Sequence, residues 1–215
     1  MRYRKRNADA GETWLRAPQQ TPAEMHQPLS YITREQIADV FASQQRGRKD
    51  LTVCFTGHRF LRNDEIQSLA DRLDQTLHAL YTHGFRDFLC GGALGFDTLA
   101  AQHVLLLRND HSDVRLRMVI PCSSQSANWK ESDCRIYEQL LYSADETLVL
   151  SPTYYEGCML VRNRFMVDHS SFCVCFLRHH RGGTMYTALY AMNQDVPVLN
   201  LAILDDVVKF TASSK

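Results

Sequence analysis

The stretch that decides the fold is Phe88-Leu89-Cys90-Gly91-Gly92-Ala93-Leu94-Gly95-Phe96-Asp97. A short apolar run of strand type, Phe88–Cys90, ends in glycines at 91, 92 and 95. From Ala93 to Arg108 the residues Leu94, Leu99, Ala100, His103, Val104 and Leu107 follow a helical period. The segment therefore reads as strand, glycine turn, helix. Free N–H groups and the positive end of the helix dipole favour an anion at such a junction, and glycines remove side chains that would block it. The spacing is not the Gly-x-Gly-x-x-Gly of dinucleotide folds. No Gly-Lys-Ser/Thr of the Walker type occurs either, so ATP hydrolysis of that kind is not supported. Asp97 either caps the helix or accepts a ribose hydroxyl.

The same grammar repeats outward from this unit. Strands are expected at Leu51–Thr56, Leu116–Ile120, Glu146–Leu150, Phe172–Leu177 and Val196–Leu201. Helices are expected at Asp64–Thr82, Glu131–Ser143, Met159–His169 and Thr184–Asn193. The strands are continuously apolar, as when both faces of a sheet are covered. Strict alternation of this kind predicts a Rossmann-like, doubly wound, mainly parallel α/β sheet with helices on both faces. Ligands of such folds bind beyond the carboxyl ends of the strands, which directs attention to the loops there.

Thr56-Gly57-His58-Arg59 follows the first strand, with Gly57 permitting a tight turn and Arg59 suited to phosphate. After the third strand, Ser123, Ser124, Gln125, Ser126 and Asn128 precede Trp129, which either stacks on a base or packs into the core. Within Arg162-Asn163-Arg164-Phe165-Met166-Val167-Asp168, Asn163 can point into the cleft, and Arg164 and Asp168 can pair at i, i+4. Arg181-Gly182-Gly183-Thr184 precedes the last helix, with Thr184 and Thr187 offering hydroxyls. Two diglycine turns in one sheet suggest a single phosphate held between two helix N-termini. A Gly92→Asp change would then abolish binding.

The first fifty residues form a separate extension, and residues 51–215 the Rossmann domain. The extension holds Pro18, Pro22 and Pro28, and nine basic against six acidic residues, +3. It reads as irregular over 1–30, with a helix from about Arg34 to Gln45 introduced by the Thr33/Gln36 capping box. Arg46-Gly47-Arg48-Lys49 then resembles a linker. Residues 51–215 carry 15 basic and 18 acidic residues, −3, and the whole chain is neutral. That balance argues against nucleic acid as partner. No stretch approaches the roughly 20 apolar residues of a membrane span. Seven cysteines, an odd number with no Cys-x-x-Cys, suggest core packing in a reducing, cytoplasmic compartment, with no metal site.

Taken together, Thr56–Arg59, Gly91–Asp97, Arg162–Asp168 and Gly182-Gly183-Thr184-Met185-Tyr186-Thr187 resemble the YpsA-like branch of the SLOG superfamily, which groups the DNA-processing protein A and "lonely guy" folds. The resemblance covers about Leu51 to Leu201 and implies a bacterial, cytoplasmic, Rossmann-like protein. It implies a pocket for a nucleotide-derived ligand such as NAD or ADP-ribose, and links to cell division and stress. The expected contacts are Gly57, His58, Arg59, Gly91, Gly92, Ala93, Gly95, Asp97, Trp129, Arg162, Asn163, Asp168, Gly182, Gly183, Thr184 and Thr187. Three functions stand open: ligand binding or sensing without chemistry, nucleoside-monophosphate N-glycosidase action, and single-stranded DNA binding. The lonely-guy pattern Pro-Gly-Gly-x-Gly-Thr-x-x-Glu lacks its second Gly-Thr unit and its Glu at 181–187, which weighs against hydrolysis. A homo-oligomer or a regulatory protein partner is compatible with all three.

Overall fold

The computed structural model describes residues 51–203, residue 180 excepted. The extension, its helix and its linker lie outside the described residues. Six strands form one parallel sheet: β1 (Thr52–Gly57), β2 (Asp87–Cys90), β3 (Arg115–Ile120), β4 (Glu146–Val149), β5 (Phe172–Phe176) and β6 (Val198–Asn200). Their order across the sheet is β4-β3-β2-β1-β5-β6, and every neighbouring pair runs parallel. Five helices connect them: α1 (Ile66–Thr82), α2 (Phe96–Asp110), α3 (Glu131–Ser143), α4 (Cys158–Asp168) and α5 (Gly182–Asn193). The expected Rossmann-like architecture is thus present.

Two buried layers sandwich the sheet. One joins α1, α2 and α3 to it through Leu69, Leu73, Leu77, Ala100, Val104 and Leu140, packed on Phe55, Phe88 and Leu116. The other joins α4 and α5 through Met166, Val167, Met185 and Ala188 to Cys54, Cys173 and Cys175. Successive strand residues feed opposite layers, which is why both faces of β1, β2 and β5 are apolar. Burying each of the α1 leucines contributes roughly 1.5–3 kcal/mol. Six of the seven cysteines are buried and all are free thiols.

Local chemistry sets the element ends. Gly84, at φ +96°, closes α1, with Gly84 N–H donating to Tyr81 O and Phe85 N–H to Leu80 O, a Schellman closure. Helix α2 begins three residues later than its periodicity suggests. Gly95 adopts φ +77°, and Phe96 N–H donates to the carbonyl of His58 (3.1 Å), so the turn before it cannot be helical. Strand β6 is shorter than expected because Val196 N–H is taken by Ala191 O and Pro197 has no N–H to give.

The chain steps from β1 to β4 in one direction, then crosses back through α4 to β5 on the other side of β1. The order therefore reverses between β1 and β5. In open parallel sheets a crevice forms at the carboxyl ends of such a strand pair.

Candidate functional site

Five loops meet the carboxyl rim of the sheet, and glycines decide how closely they approach. A Cβ on Gly57 would overlap the Phe96 ring, and one on Gly95 would overlap the backbone of Arg59. These two glycines let the β1 loop lie directly on the N-terminus of α2. A Cβ on Gly92 would press on Met118, Tyr137 and Ile120, and one on Gly91 would overlap the Arg162 guanidinium. Ala93 is buried beside them and its N–H donates to Asp97.

Behind these turns lies a buried polar network. Arg162, 4% exposed, donates from Nη1 to Gly91 O and from Nε to Asn163 Oδ1 (2.7 Å). Asn163 Nδ2 donates to Thr187 Oγ1 (2.8 Å), and Thr187 Oγ1 donates to Gly183 O (2.8 Å). Gln125 Nε2 donates to the carbonyls of Gly91 (3.2 Å) and Gly92 (2.8 Å). Asp97 is also 4% exposed, with Ala93 N–H 3.4 Å from its Oδ2. Burial pushes the Asp97 carboxyl up to about 6, against the opposing pull of Arg162, the Ala93 N–H and Arg59. Burial likewise lowers Arg162, with Asp97 opposing, but an arginine begins so high that it keeps its charge.

This geometry revises the expectation of one anion between the two diglycine turns. Both turns stand at the same rim, but Arg162, Asn163 and Thr187 fill the path between them. The carbonyls of Gly91 and Gly92 accept from Arg162 and Gln125, and that of Gly183 from Thr187, so protein side chains take up the carbonyl side of both turns. Packing fills the space beside Gly92 too, so Gly92→Asp would disrupt the fold and is no clean test of binding.

An open crevice of about 500 Å³ lies instead where the strand order reverses, lined by His58, Arg59, Phe60, Arg178, His179, Arg181 and Gly182. His58 is half-buried, and its Nε2 accepts from the backbone N–H of Arg178 (2.9 Å) and of His179 (3.4 Å). Burial, then Arg178 and His179, lower the basicity of His58, with Glu65 opposing. Arg178 is fastened by Glu65 (3.0 Å) and donates to Phe60 O (3.1 Å). Arg59 and Arg181 are exposed, and Phe60 is 85% exposed. Helix α5 opens into this crevice with Arg181 at its N-cap and no side-chain cap. Gly182 (φ +78°) and Gly183 have open space where a Cβ would stand. Thr184 is buried in the first turn.

Two expected residues stand apart. Trp129 packs edge-on against Tyr137 at 5.2 Å and joins the α1–α3 core. Asp168 sits at the far end of α4, where it accepts from Tyr190 Oη (2.8 Å), while Arg164 bonds the Tyr186 hydroxyl and lies over both tyrosine rings. The expected Arg164–Asp168 pairing is replaced by these contacts across to α5. Sequence reasoning missed Arg178, His179 and Phe60 in the crevice, and Gln125 in the network. The run Arg178-His179-His180-Arg181 between a buried strand and a diglycine was the available signal for the first two. Among the described residues no helix is long and apolar enough to cross a membrane.

Comparison with known proteins agrees with this architecture. The family model described as the YspA SLOG family (YpsA) matches residues 53–198. A UPF0398 protein of Halalkalibacterium halodurans is 30% identical over 107 residues, covering 49% of this chain and 57% of that protein. A UPF0398 protein of Bacillus pumilus is 24% identical over 164 residues, covering 71% and 88%. The UPF0398 protein YpsA of Bacillus subtilis is 30% identical over 96 residues, covering 44% and 53%. The chain thus spans little more than half the length of the first and third of these relatives. Among solved structures, DNA processing protein A of Helicobacter pylori, described for its single-stranded DNA binding mode, aligns with a TM-score of 0.51 at 16% identity, covering 76% of this chain and 74% of that one. DNA processing protein A of Streptococcus pneumoniae aligns with a TM-score of 0.51 at 17% identity, covering 74% and 50%. At such identity the likeness is one of fold.

Proposed function

The chain belongs to the YspA SLOG family, and from that premise we propose that it binds the phosphates of a nucleotide-derived molecule, such as NAD or ADP-ribose, in the crevice between β1 and β5. One observation carries this reading: Arg59, Arg178 and Arg181 line, with the uncapped N-terminus of α5, one open crevice at the reversal of strand order. Arginine forks and free helix N–H groups are the two devices that recognise phosphate best. Gly182, Gly183 and Thr184 supply the approach, and His58 and Arg59 the opposite wall. Gly57, Gly91, Gly92, Ala93, Gly95, Asp97, Arg162, Asn163 and Thr187 act as the frame that holds these loops together. Phe60 offers an exposed ring on which a base can stack.

Binding without chemistry is favoured over N-glycosidic hydrolysis because, among the described residues, those lining the crevice include no carboxylate. Cleavage of that bond needs one at the sugar. Asp97 is too deeply buried to serve from where it stands. The second reading, single-stranded nucleic acid, draws support from Phe60 standing among three arginines, since stacking beside basic groups is how single strands are held.

The test is thermal denaturation of the full chain with ADP-ribose, NAD, inorganic pyrophosphate and an oligothymidylate. A ligand at a hundred times its Kd stabilises by about 2.7 kcal/mol. ADP-ribose is expected to raise the Tm, and Arg181→Glu to remove the rise. No rise with any mononucleotide or dinucleotide, or a rise that survives Arg181→Glu, refutes the small-ligand reading. A rise only with oligothymidylate, collapsing with salt, would establish the second.

A further inference from the structure

His58 was expected to touch the ligand, yet its geometry gives it another task. Its ring stands edge-on to Phe176 (6.2 Å) and beside the ring of His179 (5.7 Å). Its carbonyl accepts from Phe96 N–H at the head of α2. Its Nε2 receives two backbone N–H groups from the loop between β5 and α5. An imidazole nitrogen accepts only while it bears no proton, so the ring is neutral, with its hydrogen on Nδ1. The charged and titratable groups around it are Arg178 and His179 from that loop, Glu65 ahead of α1, Arg59 next to it in the chain, and Arg181 on the α5 side of the crevice. Asp97, the second residue of α2, is buried and is not among the groups that shift His58.

We propose that His58 is a positioning residue and an acid-sensitive latch: neutral, it docks the Arg178–His179 backbone onto the end of β1 and so sets Arg178, Arg181 and the first turn of α5 for an anion; protonated, it lets that segment go. This rests on reading the crevice as the ligand site. It separates sharply from a contact role. A His58 that touched phosphate would strengthen anion binding on gaining a proton. A latch weakens it, because a protonated Nε2 confronts two N–H donors and both bonds are lost.

The probe is ADP-ribose, whose pyrophosphate lacks the second ionisation near 6 of a phosphomonoester. Calorimetric titration of the full chain from about pH 8 down to about pH 5 is expected to show affinity falling. The fall approaches tenfold per pH unit below the folded-state pKa of His58, itself below 6.5. His58→Gln, whose Oε1 can accept where Nε2 stands, is expected to bind with a flat profile, and His58→Ala weakly at every pH. Affinity that rises in acid, or His58→Gln as weak as His58→Ala, overturns the proposal.

A second measurement needs no ligand. NMR titration of the His58 ring should move the Arg178 and His179 amide signals with one shared midpoint below 6.5. Amides indifferent to that titration overturn the latch. If ADP-ribose fails to bind at any pH, the crevice reading fails while the amide titration still decides the latch.

Discussion

Asp97 is a carboxyl group that the fold holds partly against its charge, and replacing it with asparagine should alter the pH dependence of stability. Its pKa stands at about 6 against an ordinary 3.8, with burial the largest cause. For an acid whose folded pKa is raised, the fold favours the neutral form. The stability attached to it is complete below about pH 4 and is lost as pH climbs through about 6. At 1.36 kcal/mol per pH unit, that gap is worth about 3 kcal/mol. In a domain of this size such a loss amounts to roughly 6–12 °C in Tm. The assay is urea unfolding of the wild type and Asp97→Asn from about pH 4 to about pH 8. The stability of Asp97→Asn minus that of the wild type should rise by roughly 2–3 kcal/mol between about pH 4 and about pH 7, then level off. Groups distant from residue 97 cancel in the difference. A difference constant with pH, or one that falls, would refute the claim that burial dominates this carboxyl.

Arg162→Met removes the donor to Gly91 and Asn163 and the positive charge opposing Asp97. It should cost about 3–5 kcal/mol in chemical denaturation and raise the Asp97 pKa further. Gly57→Ala, which drives a methyl into Phe96, should lose about 1–3 kcal/mol, whereas Gly183→Ala, with open space around it, should stay within about 0.5 kcal/mol in the same melts. Trp129→Ala should lower stability by about 3 kcal/mol yet leave ADP-ribose affinity within about twofold, because its ring packs on Tyr137 away from the crevice.

Alternation of apolar runs with helical periods was enough to read the order of the elements from sequence, and with it the rim where loops gather. What each glycine does was not readable there. A glycine that admits a ligand and one that admits Phe96 or Arg162 leave the same letter, and only the position of the neighbour separates them. Gly182 and Gly183 face open space, whereas Gly57, Gly91, Gly92 and Gly95 face protein. Arg162 and Asn163 look like cleft-facing polar residues in sequence because their carbonyl and hydroxyl partners lie 71 and 24 positions away. Trp129 and Asp168 fall outside the crevice for the same reason, since Tyr137 and Tyr190 claim them. The reversal of strand order depends on which side of β1 the fifth strand docks, a long-range choice that periodicity does not encode.

The bonded chain from Gly91 through Arg162, Asn163 and Thr187 to Gly183 has a mechanical consequence. Its side chains belong to α4 and α5, yet it grips the turn that launches α2 in the opposite layer. It passes the end of the central strand like a tie-rod through a wall. A sideways slip of the α4–α5 pair therefore drags the head of α2 with it, and at this rim the two coats of the sheet move as one piece.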